Sequence, residues 1–578
     1  MKKYTADFET STWLLDSSFV WAWALCDIDN PDNVEIGNTI DSFIERIKRE
    51  NNPYIYFHNL KFDGEFILCY LLDNGYEYVE DKDKKSNSFS TLISDMGLFY
   101  SLTIYFEVGK KTKKVTIIDS LKIINQPVES MPKTFNIEEK KLKIDYNEPR
   151  EYGHILTKEE EDYIKNDVVI VAKALKYLFD MGLTRMTAGS NALSEYKNII
   201  TMNRFNNLYK PLLYDIDKDL RSAYRGGFTY LNPFYKNKSV TSGEVLDVNS
   251  LYPSVMRYES LPFGEPFFFE GEYKEDKIYP LYIQRITCSF KIKKNKIPTI
   301  QIKHRQFMDN EYLLSSDGEI VALTLTNVDL ELFLEQYDVY DLEYWCGWKF
   351  KAMKGLFNEY IDKWINVKNQ ATIDKNKGLR QVAKIMLNSL YGKFATSLDV
   401  QSKVPYLEND VVKYRLGEKT TKDGVYLPMG AFITAYARDK TIRTSQAIKD
   451  YSIKKYGIDM YCYSDTDSIH TILPIEELKQ FCEIDDVKLG AWKHESHFER
   501  AKFIRQKTYL EEINGEIQIT CAGLPQRCYD QVTWENFKEG LKVDGKLAFH
   551  HVKGGVILRE TEFTIKEDVK LIKAIEKF

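Results

Sequence analysis

The sequence has few of the features that mark a secreted or membrane protein. Its eight cysteines are scattered along 578 residues with no CxxC pair among them, so neither a zinc site nor a disulfide framework is indicated. No run of about 18 apolar residues occurs, which argues against a membrane span. The first residues, MKKYTADFET, have no apolar run behind them and do not resemble a signal peptide. We therefore expect a protein of the reducing cytoplasm that does not bind a membrane.

An excess of positive charge is also missing. The 80 Lys and Arg residues are outnumbered by 86 Asp and Glu residues, which gives a formal net charge of −6. A protein that coats nucleic acid non-specifically depends on Lys and Arg to neutralise phosphates, so this balance argues against such a coat protein. It does not exclude an enzyme in which basic residues line one channel while acidic residues bind metal ions.

The length and the pattern of apolar residues indicate several domains of mixed structure. A chain of 578 residues is too long for one hydrophobic core, and we expect about two to four domains. Residues 1–120 alternate short apolar runs with turn signals, which is typical of α/β structure. Further along, the spacing predicts a helix at 158–183 and a strand followed by a helix at 243–257. Residues 355–396 are predicted to contain a long helix, and residues 459–473 to form two short strands joined by a turn. A charged helix is predicted at 566–578.

Four carboxylates in the N-terminal third could form a metal site. Asp7 and Glu9 follow a strand-like start and, two residues apart, would lie on one face of a strand. Asp63 lies among Phe and Ile residues, and Tyr163 and Asp167 are one helical turn apart. Such a set could hold two divalent ions about 4 Å apart, which would activate a water and stabilise the leaving oxygen in phosphodiester hydrolysis. Oxygen ligands favour Mg²⁺ or Mn²⁺.

A second set of carboxylates and a polar helix lie in the rest of the chain. Asp247 ends a strand of Val and Leu, and Asp465 and Asp467 stand two residues apart in a hairpin-like segment. Brought together, Asp247 and Asp467 could bind two Mg²⁺ ions for in-line nucleotidyl transfer. The helix between them carries one stripe of two cations, an amide and a phenol, which is a poor core face but a good surface for a triphosphate: Arg380, Lys384, Asn388 and Tyr391.

The N-terminal set resembles the three motifs of the DEDD 3′→5′ exonucleases of the tyrosine subtype. The resemblance implies that Tyr163 positions the attacking water and that the four carboxylates ligate metal: Asp7, Glu9, Asp63 and Asp167. It also implies a site lysine, Lys141 in preference to Lys143, and contacts with the frayed primer strand from Thr10, Asn59, Phe62, Ser120 and Leu121. We interpret His58 as a packed or hydrogen-bonded residue and not as a base.

The second set looks like motifs A, B and C of the family B DNA polymerases. The resemblance implies that Asp247 and Asp467 ligate metal, with Asp465 as a less direct ligand. Tyr252 would lie beneath the sugar and exclude a 2′-OH by steric clash. The residues implied to bind the incoming nucleotide are Val248, Tyr252, Arg380, Lys384, Asn388 and Tyr391.

Three shorter segments narrow the resemblance. Tyr224-Arg225-Gly226-Gly227 matches a template-binding segment, Lys507-Thr-Tyr509 a primer-binding segment, and Thr434-Ala-Tyr-Ala-Arg438 a template contact. With the segment at 56–64, they are similar to the protein-primed polymerases of small linear-genome phages, the phi29 type, over nearly the whole chain. The resemblance implies as partners primer-template DNA, dNTPs and a terminal protein that acts as primer. It also implies two Mg²⁺ or Mn²⁺ ions per active site, a monomer, and a location in the host cytoplasm.

The fold class implied by this resemblance is an α/β and α+β multidomain chain. An RNase H-like 3′→5′ exonuclease domain precedes a right-hand polymerase domain. The expected divisions are an exonuclease domain (1–190), the palm start and template-binding linker (191–258), an insertion that contacts the terminal protein (259–357), the fingers (358–397), a second insertion that closes around the DNA (398–421), the palm (422–520), and the thumb with the tail (521–578). Residues 368–377 look polar and loose for a fingers hairpin and could carry a small insertion.

Three other interpretations predict different behaviour. A nuclease whose C-terminal part only grips DNA would degrade DNA without any synthesis. A non-catalytic nucleic-acid-binding scaffold is disfavoured because every metal carboxylate of both sets is present. A relative that makes or copies RNA is the third, and Tyr252 argues against the use of ribonucleotides, whereas RNA copying needs a template test.

Overall fold

An eight-stranded sheet organises the first 180 residues. The computed structural model describes residues 1–80, 85–146, 148–301 and 312–566, so the helix predicted at 566–578 falls almost wholly outside the described residues. The sheet has the order β3-β2-β1-β4-β8-β7-β6-β5, and β4 is parallel to both β1 and β8. The elements are β1 (Lys3–Thr10), β2 (Val20–Asp27), β3 (Val34–Gly37), α1 (Ile40–Lys48), β4 (Tyr54–Phe57), α2 (Leu60–Asp73), β5 (Glu77–Tyr78), β6 (Ser88–Ile93), β7 (Phe99–Val108), β8 (Lys111–Asp119), α3 (Met131–Phe135) and α4 (Lys158–Asp180).

Helix α4 begins and ends close to the predicted bounds. Thr157 accepts a hydrogen bond from the Glu160 N–H, and the Glu160 carboxylate accepts one from the Thr157 N–H, so a capping box fixes the start of the helix. Acidic residues in the first turn favour the same end of the helix dipole. The buried face of α4 packs against β1 and β2. The helix predicted at 158–183 is therefore confirmed, and its packing carries side chains of α4 over the first strand.

A seven-stranded sheet forms the centre of the second half. Its order is β21-β20-β19-β10-β18-β17-β9. The strand and helix predicted at 243–257 and the two strands predicted at 459–473 are confirmed, as β10 with α8 and as β17 with β18. The elements up to this sheet's second strand are α5 (Ala188–Ile200), α6 (Met202–Leu208), α7 (Tyr214–Arg221), β9 (Thr229–Leu231), β10 (Ser239–Val248) and α8 (Leu251–Tyr258).

A separate four-stranded sheet and a pair of helices follow. The sheet has the order β11-β14-β12-β13. Its strands are β11 (Leu261–Glu270), β12 (Leu281–Ile292), β13 (Val321–Thr326) and β14 (Tyr337–Met353), and α9 (Asn327–Gln336) connects β13 to β14. The region 355–396, predicted to contain a long helix, contains three helices: α10 (Asn358–Ile373), α11 (Lys377–Ser389) and α12 (Tyr391–Phe394). Only residues 374–376 separate α10 from α11, so the segment at 368–377 that was predicted to be loose is mostly helix and turn.

Two long hairpins extend back to the N-terminal sheet. The remaining elements are β15 (Asp399–Glu408), β16 (Val411–Thr421), α13 (Leu427–Tyr456), β17 (Tyr461–Asp465), β18 (Ser468–Thr471), α14 (Ile475–Leu478), β19 (Trp492–Arg505), β20 (Thr508–Ile513), β21 (Glu516–Cys521), β22 (Lys542–Val552) and β23 (Gly555–Thr564). The β15–β16 hairpin and the β22–β23 hairpin both contact α2. Among the helices that the structure describes, none has the length and apolar character needed to cross a membrane.

Candidate active sites

Four carboxylates lie on or beside the N-terminal sheet, and all but the half-buried Asp7 are buried. Asp7 and Glu9 lie on β1, Asp63 lies in the first turn of α2, and Asp167 lies on α4. Carboxylate oxygens of Asp7, Glu9 and Asp167 lie within 4.8 Å of one another. The structure thus brings three of the four predicted residues together at a spacing that suits metal ions with shared carboxylate ligands, and Asp63 lies close enough to Asp7 for the two charges to interact.

This cluster carries more negative charge than its neighbouring lysine can neutralise. Lys141 Nζ lies 3.2 Å from Asp167 Oδ2, while one oxygen of Asp63 and one of Asp167 are buried with no hydrogen-bond partner among the described residues. Burial, and then the charge of Asp167, raise the pKa of Asp7 to about 7. Burial and the charge of Asp7 raise the pKa of Glu9 and of Asp63 well above the usual range. Buried acids that repel one another fit a pair of divalent cations such as Mg²⁺ or Mn²⁺.

Tyr163, the phenol predicted to position a water, has a partner that the sequence did not indicate. Tyr163 lies on α4 one turn before Asp167, and its hydroxyl is hydrogen-bonded to that of Tyr146. Burial, and then the charge of Glu9, raise the pKa of Tyr163, so the phenol stays protonated at neutral pH. Tyr146 lies in the long connection before α4, where no pattern singles it out.

The predicted primer-strand contacts surround a carboxylate that was not predicted. Asp119 ends β8 and is fully buried, and its Oδ1 accepts hydrogen bonds of 3.0 Å from the N–H groups of Asn59 and Leu121. Asp119 thus holds the backbone of Asn59 and of Leu121 in place. The other two predicted contacts lie on regular elements, Thr10 at the end of β1 and Phe62 on α2. The sequence feature that could have revealed Asp119 is its position directly after the apolar, strand-like residues 115–118.

Ser120 and His58 form an internal hydrogen-bond pair. Ser120 is fully buried, and its hydroxyl donates to the carbonyl oxygen of Phe57 at 3.0 Å, so this side chain does not face a DNA strand in the present arrangement. His58 contacts the Ser120 hydroxyl with Nδ1 at 3.0 Å and the Gln126 carbonyl oxygen with Nε2 at 2.9 Å. Both ring nitrogens of His58 are therefore engaged in hydrogen bonds within the protein, which agrees with its interpretation as a hydrogen-bonded residue and not a base.

The second pair of carboxylates meets at one end of the seven-stranded sheet. Asp247 lies at the end of β10 and pairs with Ser468 on β18, and the N–H of Val248 donates to the carbonyl oxygen of Asp467 at 2.8 Å. Strand pairing thus fixes the turn that carries Asp467 beside Asp247. An open cleft of about 900 Å³ lies over them and is also lined by Asp465, Lys507 and Tyr509.

An acid from a neighbouring strand joins this pair. Burial, then the charges of Asp467 and Glu495, raise the pKa of Asp247 to about 7. Burial also raises the pKa of Asp467. Glu495 lies on β19 where the register with β10 is irregular: Val245 faces Ser496 and Leu246 faces His494, so Glu495 is skipped. The sequence gives no sign of this irregularity, and Glu495 was not predicted.

Asp465 has protein partners for its charge. Lys507 Nζ lies 2.9 Å from one Asp465 oxygen and 2.8 Å from the other, and the Thr229 hydroxyl donates to Oδ1 at 3.0 Å. The backbone N–H of Lys507 donates to the Tyr463 hydroxyl at 2.9 Å. Asp465 and Tyr463 thus hold Lys507 at the rim of the cleft, and the charge of Asp465 is already paired with that of the lysine.

The polar stripe on α11 faces outward as predicted. Arg380, Lys384 and Asn388 are exposed, while the opposite face of α11 is buried. A further cation comes from α10, since Lys368 Nζ lies 3.4 Å from the Ser250 hydroxyl. Burial, and then the charges of Arg380 and Lys384, lower the pKa of Lys368. The three cations therefore lie close to one another, and the charge of Asp247 acts on Lys368 as well. This lysine belongs to the segment that the sequence had suggested to be loose.

Two tyrosines pack against each other where α8 meets α12. The ring centroids of Tyr252 on α8 and Tyr391 on α12 are 4.1 Å apart, and the ring planes are tilted by 31°. The pair occupies the junction between α8, which follows Asp247, and the end of the helical hairpin. Tyr252, which the sequence predicts to lie beneath the sugar of an incoming nucleotide, thus has Tyr391 as its packing partner.

The segment Tyr224–Gly227 packs against the turn that carries Asp467. A Cβ atom on Gly227 would lie 2.6 Å from the Thr466 hydroxyl oxygen, so only glycine fits there. The Thr466 N–H donates to the carbonyl oxygen of Phe228 at 2.7 Å. This segment is therefore part of the base of the cleft.

Three predicted DNA contacts have buried side chains. Thr434 and Arg438 on α13 and Arg225 are 1%, 3% and 8% exposed. Arg438 donates to the carbonyl oxygens of Arg225 and Gly226 at 2.8 Å each. These side chains do not face the cleft, so the expected direct contacts are not available here. Arg438 instead anchors the backbone of the segment at Tyr224–Gly227, while the Thr434 hydroxyl donates within its own helix.

The comparisons with known proteins agree with this geometry. The family model described as DNA polymerase type B, organellar and viral, matches residues 44–157 and 143–481. The chain is 46% identical to the DNA polymerase of Bacillus phage phi29, over 98% of this chain and 99% of that protein, and 31% identical to the DNA polymerase of Streptococcus phage Cp-1, over 98% and 99%. The solved complex of phi29 DNA polymerase with primer-template DNA and incoming nucleotide substrates superposes with a TM-score of 0.90 at 44% identity, covering 98% of this chain and 100% of that one.

The chain belongs to the type B DNA polymerases of organelles and viruses. Within that family it is of the phi29 type, since likeness to that enzyme extends over nearly its full length. The predicted family, fold class and enzyme class are confirmed, and the interpretations as a pure nuclease or a non-catalytic scaffold are wrong. As in its family, the enzyme depends on divalent metal ions.

Proposed function

We propose that this DNA polymerase replicates a linear viral genome by protein-primed, strand-displacing synthesis and proofreads at a separate 3′→5′ exonuclease site. The supporting observation is that one chain carries two carboxylate clusters on two different sheets, one largely buried on the N-terminal sheet and one lining the open cleft of the seven-stranded sheet. Because each cluster is built from a single chain, we propose that the enzyme acts as a monomer, in the cytoplasm of a host cell.

In the polymerase site, Asp247 and Asp467 would hold two Mg²⁺ or Mn²⁺ ions. Such ions lower the pKa of an attacking hydroxyl and neutralise the pyrophosphate that leaves. Arg380 and Lys384 are exposed on the same side and would bind the triphosphate. Tyr252, held against Tyr391, would fill the space of a 2′-OH and so select deoxynucleotides. Lys507 would bind the primer terminus from its fixed position beside Asp465.

In the exonuclease site, Asp7, Glu9, Asp63 and Asp167 would hold two further ions, whose chemistry is to activate water for phosphodiester cleavage. Tyr163 would orient that water through its hydroxyl. Lys141, fixed by Asp167, would offset negative charge on the scissile phosphate. The frayed strand would pass Phe62 and the loop held by Asp119.

A primer-extension gel separates the two sites. With a 5′-labelled primer on a longer template and Mg²⁺, we expect shortening without dNTPs and full extension with them. Asp467→Asn should abolish extension but leave shortening, and Asp7→Asn with Glu9→Gln should do the reverse. Loss of both activities in either variant would contradict a two-site enzyme.

Protein priming requires a surface for the terminal protein. The four-stranded sheet exposes several large apolar side chains, with Phe267, Phe268 and Tyr340 exposed by 58%, 43% and 56%. Exposed apolar surface of this kind suits a protein partner. We expect Phe267→Ser with Phe268→Ser to reduce transfer of a labelled dNMP to the terminal protein while DNA-primed extension is unchanged. Equal loss of both reactions would argue against this surface.

A further inference from the structure

A buried carboxylate on β10 binds two histidines of β19 beside the polymerase cleft. Glu244 is 8% exposed and lies three residues before Asp247. Its Oε2 lies 2.7 Å from His494 Nε2, and its Oε1 lies 3.1 Å from His497 Nδ1. A carboxylate only accepts hydrogen bonds, so each ring donates one N–H. The two imidazoles therefore share one carboxylate, with one oxygen each.

The strand register explains how two histidines three residues apart reach the same carboxylate. Residues at positions i and i+3 point to opposite faces of a regular strand. Here the register skips Glu495, because consecutive residues of β10 face His494 and Ser496. Two residues of β19 thus stand where a regular ladder has one, which is a β-bulge and changes the direction of the side chains that follow. His494 and His497 lie on either side of this bulge, and their hydrogen bonds to Glu244 connect its two ends.

The residue inside the bulge is the acid that joins the polymerase carboxylates. Glu495 lines the cleft together with Asp247 and Asp467. Burial raises the pKa of Asp247 and of Asp467, and the charge of Glu495 adds to the rise in both. A bulged residue has no partner across the ladder, so its position depends on what holds the residues around it. Glu244 supplies that constraint from the neighbouring strand.

We propose that Glu244, through its two histidines, fixes the bulge that presents Glu495 to the metal ions of the polymerase site. Glu244 acts through another acid and is therefore a positioning residue, not a ligand. Groups that orient the acids of a metal site typically change metal affinity or activity by about 10- to 100-fold when they are replaced. This inference rests on the proposed two-ion polymerase site and adds to it the residues that place its third acid.

The test measures Mn²⁺ binding, because binding does not depend on turnover. Free Mn²⁺ is followed by electron paramagnetic resonance with the full-length enzyme on primer-template DNA. All variants carry Asp7→Asn with Glu9→Gln, which removes ligands of the exonuclease ions. Glu244→Met keeps the length of the side chain but has no acceptor, and we expect it to weaken Mn²⁺ binding by about tenfold. Glu244→Gln keeps one acceptor and gains a donor, so its binding should lie between that of Glu244→Met and the parent.

Combination with Glu495→Gln separates positioning from general support of the sheet. If Glu244 acts only through Glu495, adding Glu244→Met to Glu495→Gln should weaken Mn²⁺ binding no further. Hydrogen exchange without metal reports on the bulge itself. Peptides that cover residues 492–499 should exchange faster in Glu244→Met than in the parent, because the hydrogen bonds that hold the two ends of the bulge are lost.

The matched control is Glu512→Gln, which breaks an ion pair with Arg500 between β20 and β19. This pair lies outside the bulge, and its side chains are 23% and 41% exposed, so Mn²⁺ binding should stay at the level of the parent. With an intact exonuclease site, excision of single-stranded DNA should also be unchanged in Glu244→Met, because that site lies on the other sheet.

Parent-like Mn²⁺ binding by Glu244→Met would overturn the inference. So would unchanged hydrogen exchange at 492–499, or a full further loss of binding in the Glu495→Gln background, since Glu244 would then act independently of Glu495. If Glu244→Met does not fold, His497→Phe removes one of the two donors, and the same outcomes decide. Failure of the proposed polymerase site is distinguishable, because Asp467→Asn would then extend primers and bind Mn²⁺ like the parent.

Discussion

The buried ion pair between Arg438 and Asp329 offers the sharpest test of how the polymerase cleft is held. The guanidinium of Arg438 donates five hydrogen bonds. Three reach the Asp329 carboxylate at 2.7–3.1 Å, and two reach the carbonyl oxygens of Arg225 and Gly226. The Arg438 side chain is 3% exposed and that of Asp329 11%. One residue of α13 thus ties α9 to the segment beneath the catalytic turn.

Replacement of Arg438 by Met would leave the buried Asp329 carboxylate with the Thr326 hydroxyl as its one hydrogen-bond donor among the described residues. Removal of one member of a buried ion pair costs about 3–5 kcal/mol. The double variant Arg438→Met with Asp329→Leu removes both charges, so its loss should be well below the sum of the two single losses. Arg438→Lys keeps the charge but has fewer donors and no planar fork, and should fall between the parent and Arg438→Met.

The measurement is the denaturant midpoint of the full-length enzyme by tryptophan fluorescence, together with extension at limiting primer-template. We expect Arg438→Met to shift the midpoint and to weaken extension more than single-strand excision, because only the polymerase cleft loses its anchor. The reasoning is refuted if Arg438→Met unfolds at the parent midpoint, or if the double variant loses as much as the sum of the single variants.

Three further predictions concern Lys141 of the exonuclease site, Lys368 of the polymerase site, and the contact between His551 and Glu65. Lys141→Met should lower excision of single-stranded DNA by about 10²-fold, as for loss of one electrostatic stabiliser, with extension intact and Lys143→Met as the control; equal effects of both changes would contradict it. Lys368→Met should raise the KM for dNTPs in steady-state insertion without changing primer-template affinity, and the exposed Lys375→Met should not; a parent-like KM would remove Lys368 from the nucleotide site. The hydrogen bond to Glu65 raises the pKa of His551, while burial, Lys61 and Lys403 oppose the rise, and the Tyr414 ring packs beside it. The stability that this contact contributes is complete below about pH 6.5 and is lost as pH rises through the raised pKa, so the denaturant midpoint of the full-length enzyme should fall toward alkaline pH by more in the parent than in His551→Gln.

Local patterns in the sequence were enough for the elements that carry both carboxylate sets. Thr157 and Glu160 predicted the start of α4, and Asp247 and Asp467 stood at the ends of elements that the alternation of apolar residues revealed. These features depend on neighbours a few residues apart, which is why a single chain without relatives was sufficient to find them.

Features that depend on distant pairing could not be found in this way. Glu495 reaches the polymerase site because β19 skips one residue opposite β10, and the pairing joins segments some 250 positions apart. Arg438 was predicted to contact the template, but it is buried and pairs with Asp329, which lies 109 positions away in the sequence. Charge alone does not distinguish a DNA contact from a buried anchor, because only the tertiary neighbours decide which one forms.

The surroundings of two acids on α2 show what identifies a metal ligand in this fold. Asp63 and Glu65 stand two residues apart and are almost equally buried, at 3% and 2%. Glu65 receives donors from Tyr414 and His551, so its charge is answered by protein groups. Asp63 faces the acid Asp7, which raises its pKa, and one of its oxygens has no partner among the described residues.

The same contrast separates the acids of the polymerase cleft. Asp465 has Lys507 and Thr229 as hydrogen-bond donors. Burial and the charges of Asp467 and Glu495 raise the pKa of Asp247, and burial and the charges of Asp465 and Glu495 raise the pKa of Asp467. A buried acid that accepts hydrogen bonds from protein groups can connect the elements that supply those donors. Acids that lie beside further acids are unstable as anions unless a cation binds between them. The supply of donors around each carboxylate, more than the number of carboxylates, therefore distinguishes the metal ligands from the acids that hold the molecule together.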